Sequence, residues 1–144
     1  MPNRTCPATA DSDRERIEEL IQSQNWYVLF RGKHCYEWAL RIKRDRLGDA
    51  LILHFQDTSG PAHTYLHLPA KGLFVDCTGV FTTAEKLLGK MWTDAATIET
   101  WEPEVLSQTI EARGYAVELA MRIERAALYQ FDTNPSFESI LPAA

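Results

Sequence analysis

The apolar positions of this chain change period several times, and each change marks an element. Ile17, Leu20 and Ile21 fall at i, i+3 and i+4, and Ser12 followed by Glu15 has capping-box spacing, so a first helix is expected over about 12–24 behind a loose arm of residues 1–11. Residues 25–30, Asn-Trp-Tyr-Val-Leu-Phe, form a continuous apolar run without a period; it reads equally as a buried strand or as a packed lead-in to the cysteine at position 35. From Cys35 the spacing is helical again to about residue 46, with Cys35, Trp38, Ala39 and Ile42 on one face and a stop near Gly48. Residues 50–55 are rich in β-compatible side chains and are closed by Asp-Thr-Ser-Gly-Pro, which predicts a strand. Two further strands, 63–68 and 73–77, flank the tetrapeptide Pro-Ala-Lys-Gly.

That tetrapeptide allows the hairpin register to be worked out. With residues 69–72 as the loop, Leu68 faces Leu73, Leu66 faces Val75, and Tyr65 faces Asp76. One face then carries Thr64, Leu66, Leu68, Leu73, Val75 and Cys77 and is expected to be the core. The other carries His63, Tyr65, His67, Phe74, Asp76 and Thr78, with both histidines diagonal to Asp76. Beyond Gly79, Thr82 or Thr83 caps a helical segment over 84–92 with Leu87, Leu88 and Met91 in phase. A helix opens at Glu102 and Pro103 with Val105, Leu106 and Ile110 on one face, Gly114 breaks it, and 115–129 continues with Val117, Ala120, Met121, Ile123 and Leu128 inward. The tail from Asp132 is expected to be irregular. The architecture implied is α+β: a small antiparallel sheet packed against an N-terminal cysteine-bearing helix, with additional C-terminal helices, in one domain over 1–144.

Composition narrows the function without changing this picture. The chain is 45% hydrophobic and 24% charged, which is ordinary for a globular domain. A net charge of −5 argues against nucleic acid as the main partner, although Arg41, Lys43, Arg44 and Arg46 make a basic run that reads as a solvated face or, more sharply, as a contact for an acidic partner. No stretch is long and apolar enough for a membrane span, and no secretory signal is visible in the first thirty or so residues. Cys6, Cys35 and Cys77 are odd in number and unpaired in spacing, which fits a reducing, cytoplasmic setting, export without a visible signal being the alternative.

The candidate chemistry centres on Cys35. It stands in the first turn of its helix, where free backbone N–H groups and the dipole favour a thiolate, and histidine and aspartate come after it in the order nucleophile, base, orienter. Pattern alone does not choose between His63 and His67 as the base. Each residue also has a plainer role: Cys35 as a small buried hydrophobe, His63 as a satisfied core or surface histidine, Asp76 as a cap on the turn to Gly79. Cys77 points to the core face, and Cys6 is incidental. A metal set of Cys35, His63, His67 and Asp76 is a competitor, but Thr64 stands where an HExxH motif needs glutamate, and no metal or cofactor is expected. Tyr36, Trp38, Trp92 and Trp101 are either core or the lining of a cleft.

The run from His63 through Leu68-Pro69 to Asp76 and Gly79, downstream of Gly32-Lys33-His34-Cys35-Tyr36-Glu37-Trp38-Ala39, resembles small bacterial and phage proteins of the papain-like and transglutaminase-like thiol-hydrolase group. The resemblance covers about residues 32–80 and implies Cys35 as nucleophile, His63 as base and Asp76 as orienter, which separates the two histidines. It implies a cysteine-dependent peptidase, amidase, deamidase or acyl-transferase acting on a protein or peptide. Trp38, Tyr65 and His67 are the expected substrate-binding residues. The alternative is a non-catalytic interaction module on the same fold, such as a phage-encoded inhibitor. Those enzymes take an oxyanion donor from a polar side chain a few residues before the cysteine, whereas residues 27–30 here are largely apolar and Gln24 and Asn25 lie further back.

Overall fold

The computed structural model describes residues 5–94 and 96–141, with side chains described from residue 13. The sheet has five strands, β1 (Leu51–Gln56), β2 (Ala62–Leu68), β3 (Leu73–Asp76), β4 (Gly79–Phe81) and β5 (Thr97–Trp101), in the spatial order β4-β3-β2-β1-β5. Every neighbouring pair is antiparallel. Around it stand α1 (Thr5–Gln22), α2 (Cys35–Asp45), α3 (Ala84–Leu88), α4 (Pro103–Glu111) and α5 (Val117–Thr133). The fold is α+β, with the cysteine-bearing helix on the sheet and helices filling the C-terminal part.

The register derived from the four-residue loop holds: Leu66 faces Val75 and Leu68 faces Leu73. Gly72, at φ +65, supplies the left-handed residue that this loop needs. Leu66, Leu68, Val75 and Cys77 join Trp38, Ala39 and Ile42 of α2 in the larger core, as the alternation requires. The opposite face is not left to solvent. Phe55 and Tyr65 are buried there under Leu87 and Leu88 of α3 in a second, smaller core. His63 and Asp76 therefore lie in a covered layer, each 1% exposed.

Several elements differ from the pattern-based expectation. Helix α1 already runs from Thr5, so Ser12 lies inside a helix instead of capping one, and only residues 1–4 of the expected arm fall outside the described residues. The run before Cys35 is no strand: Trp26 is helical, and Tyr27–Lys33 forms a π-helix that buries Leu29 and Phe30. β4 and β5 were not expected. β5 lies at the sheet edge with four of its five residues exposed, so its apolar alternation is too weak to read. The segment expected as one helix over 84–92 is a five-residue helix that hands over at Gly89 to a 3-10 turn, Gly89–Met91.

Helix α4 ends as expected before Gly114, which takes φ +77. Val105 is nevertheless exposed, as are Val117 and Met121 on α5. α5 carries two apolar stripes, and packing against α2 buries the one formed by Leu119, Ile123, Ala126, Ala127 and Phe131. The tail is ordered as a 3-10 helix, Pro135–Ile140, because Phe137 and Ile140 fill the larger core against Trp38 and Phe131. The basic run on α2 is held in the structure: Arg41 pairs with Glu124 at 3.0 Å, Arg46 with Asp132 at 2.6 Å, and Lys43 donates to the Gly48 carbonyl.

Candidate active site

Cys35 is the first residue of α2, and the helix begins without a side-chain cap at His34. The first-turn N–H groups of such a helix have no intrahelical partner, so they and the dipole surround the half-buried thiol with positive potential. His63 enters from β2 and Asp76 from the end of β3, and the diagonal pairing across the hairpin closes as a hydrogen bond of 2.9 Å between His63 Nε2 and Asp76 Oδ2. Because a carboxylate only accepts, Nε2 carries the proton and Nδ1 is left with a free lone pair. Nδ1 is fully buried and closes no hydrogen bond. The neighbouring Cys35 thiol acts on the ring, and Phe30, Trp38, Thr64 and Cys77 enclose the space in which Cys35, His63 and Asp76 meet.

The electrostatics of His63 and Asp76 fit this arrangement. Burial works against an imidazolium at His63, but the hydrogen bond to Asp76 and the contact with Cys35 outweigh it and raise the pKa above 6.5. Burial likewise opposes the Asp76 carboxylate, and His63, Thr78 and Arg31 overcome it, so its pKa falls below 3.8. Cys77, by contrast, is buried beside the Asp76 carboxylate, and burial first and that charge second push its pKa upward against the opposing pull of Arg31. It is a core residue, as its register position requires. The side chain of Cys6 lies outside the described residues.

Asp76 does more than orient a histidine. Its Oδ1 accepts from the Thr78 backbone N–H at 2.8 Å and from the Thr78 hydroxyl, forming the turn into β4. Its Oδ2 is shared between His63 and Arg31 Nη1, the latter at 2.7 Å. Arg31 also donates to the Leu88 carbonyl, which ties the π-helix ahead of Cys35 to both the orienter and α3. Sequence reasoning missed Arg31, and the one signal for it was a cation four residues before Cys35.

Two of the three expected substrate contacts, Trp38 and Tyr65, are corrected by their burial. Trp38 is 1% exposed and donates to Gln130 Oε1, and Tyr65 is 0% exposed with its hydroxyl pKa pushed up to about 12 by burial, so both are core residues. His67, half-buried, bonds the Leu73 carbonyl through Nδ1 and stacks on Phe74. It therefore joins neither a triad nor a metal set, and no group of three or more His, Cys, Asp and Glu among the described residues is placed to hold a metal ion. Gln24 donates to the Tyr129 hydroxyl and is not an oxyanion donor. The open cleft at Cys35 is instead lined by Lys33, Tyr36, Ala62, Arg113 and Tyr115. Comparison with known protein families, with curated proteins and with solved structures yields no match for this chain.

Proposed function

We propose that this protein is a cysteine-dependent amide hydrolase or acyl-transferase acting on a protein or peptide through Cys35, His63 and Asp76. The observation that carries the reading is the buried, unbonded Nδ1 of His63, held next to a helix-start thiol by an imidazole that is fixed from behind by Asp76. Nδ1 takes the thiol proton, the sulfur attacks the amide carbonyl carbon, and the oxyanion collects at the Cys35 N–H. The C–N bond then breaks, the leaving amine takes the proton from His63, and the acyl group stays on sulfur as a thioester. Water, or an acceptor amine, attacks the thioester with His63 again as base. The resemblance to the papain-like and transglutaminase-like group supports the same assignment, and a reducing cytoplasmic setting belongs to the same proposal. No helix among the described residues is long and apolar enough to cross a membrane.

Thiol reactivity tests it. In the folded protein Cys35 should be the thiol alkylated fastest by iodoacetamide near neutral pH, as read by peptide mass mapping. His63→Ala should slow that labelling and should cost amide turnover a factor of about 10² to 10⁴, while His67→Ala should do much less. Protection of Cys35 until the protein unfolds would sink the catalytic reading and leave an interaction module on this fold.

A further inference from the structure

The cleft in front of Cys35 has a volume of about 360 Å³ and differs in charge from the rest of the protein. On a chain of net charge −5, it presents Lys33 and Arg113 and, among the described residues, no acidic wall residue. Elsewhere Arg31, Arg41 and Arg46 are taken up by carboxylates at 2.7, 3.0 and 2.6 Å. Among the described residues Arg113 makes one ion pair, a long one of 3.8 Å to Glu37 Oε2, and Lys33 makes none. The guanidinium is nonetheless held in place: its Nη1 lies 3.1 Å from His34 Nδ1, and its carbon stands 4.7 Å over the ring of Tyr36.

Among the described residues the negative groups near it are Glu37, which is fully buried, and Asp13, which acts on Tyr115. Tyr36 and Tyr115 flank Arg113; phenols are protonated near neutral pH and able to donate, and burial, the largest influence on each, raises their pKa further. A planar guanidinium beside an ammonium and two phenol donors is a receptor for a carboxylate.

Resting on the thiol reading above, we propose that this cleft binds a carboxylate of the substrate, so that the amide delivered to Cys35 belongs to an acidic residue or to a residue bearing a free terminal carboxylate. Arg113 is the specificity-determining contact, and Lys33 supports it from the rim. Glu37 and Tyr36 position Arg113.

Two alkylating reagents of the same size test this: iodoacetate carries the carboxylate and iodoacetamide is its neutral counterpart. The ratio of their Cys35 labelling rates should fall about five- to tenfold in Arg113→Gln, the scale of one charge-assisted contact, and by a smaller factor in Lys33→Gln. Lys33 is exposed, so its variant keeps the test valid even where Arg113→Gln fails to fold. Glutarate should slow iodoacetate labelling of the wild type in a saturable way. An unchanged ratio in Lys33→Gln and in folded Arg113→Gln, or protection by inorganic phosphate but not by glutarate, overturns the carboxylate proposal and leaves the thiol reading standing. Inertness of Cys35 to both reagents overturns the thiol reading, and this proposal with it.

Discussion

Asp76 holds a turn with one carboxylate oxygen and both an imidazole and a guanidinium with the other, so orienting a histidine and capping a turn are not alternatives at this residue. The division predicts the outcome of Asp76→Asn. The asparagine carbonyl can still accept from the Thr78 N–H, so the turn survives, but its amide nitrogen is a donor and can accept from neither His63 nor Arg31. Arg31 is 13% exposed at its side chain and would lose its counter-ion. The variant should fold, should be destabilised by about 2 kcal/mol, below the range for a fully buried pair because Arg31 keeps some water, and should label at Cys35 at least severalfold more slowly. Thermal unfolding beside iodoacetamide kinetics checks both effects. An unchanged labelling rate would reduce Asp76 to a turn residue.

Helix α2 is fixed by a contact that links it at once to α5 and to the end of β3. Gln130 is 2% exposed, accepts from Trp38 Nε1 at 2.8 Å, and donates to the Cys77 carbonyl at 2.8 Å. One buried side chain thus sets the height of the Cys35 helix against the strand that carries Asp76. Replacing it with leucine keeps most of the volume but orphans a buried N–H and a buried C=O, so Gln130→Leu should cost about 2–4 kcal/mol. Its effect should reach the site, since α2 and β3 are released from one another. Denaturant unfolding measures the first, and Cys35 labelling in the folded variant measures the second. Stability equal to wild type would show that the link is dispensable.

At the scale of the whole molecule, the shifts of His63 and Asp76 give the stability held by this pair a pH profile. The raised His63 pKa contributes stability that is complete below 6.5 and is lost as pH rises through its folded value. The lowered Asp76 pKa contributes stability that is complete above 3.8 and is lost as pH falls through its folded value. The stability gap between wild type and Asp76→Asn should therefore be widest between about pH 3.8 and 6.5 and should narrow on either side, which a series of thermal melts can track. A gap that stays constant into the alkaline range would show that His63 is not coupled to Asp76.

What the sequence determined by itself is local. A four-residue loop and strict alternation set the hairpin register, and with it the approach of His63 to Asp76. The helix start at Cys35 came from a period that begins there. What only the tertiary structure decided depends on contacts between distant segments. Arg31 meets Asp76 across 45 positions, Trp38 meets Gln130 across 92, and Arg113 meets His34 across 79. No period or spacing encodes such pairs, because they arise from how helices settle on the sheet. The same reason explains which stripe of α5 faces inward, why α3 covers the second face of the sheet, and why Tyr36 opens onto the cleft while Trp38, two residues along the same helix, is sealed in the core.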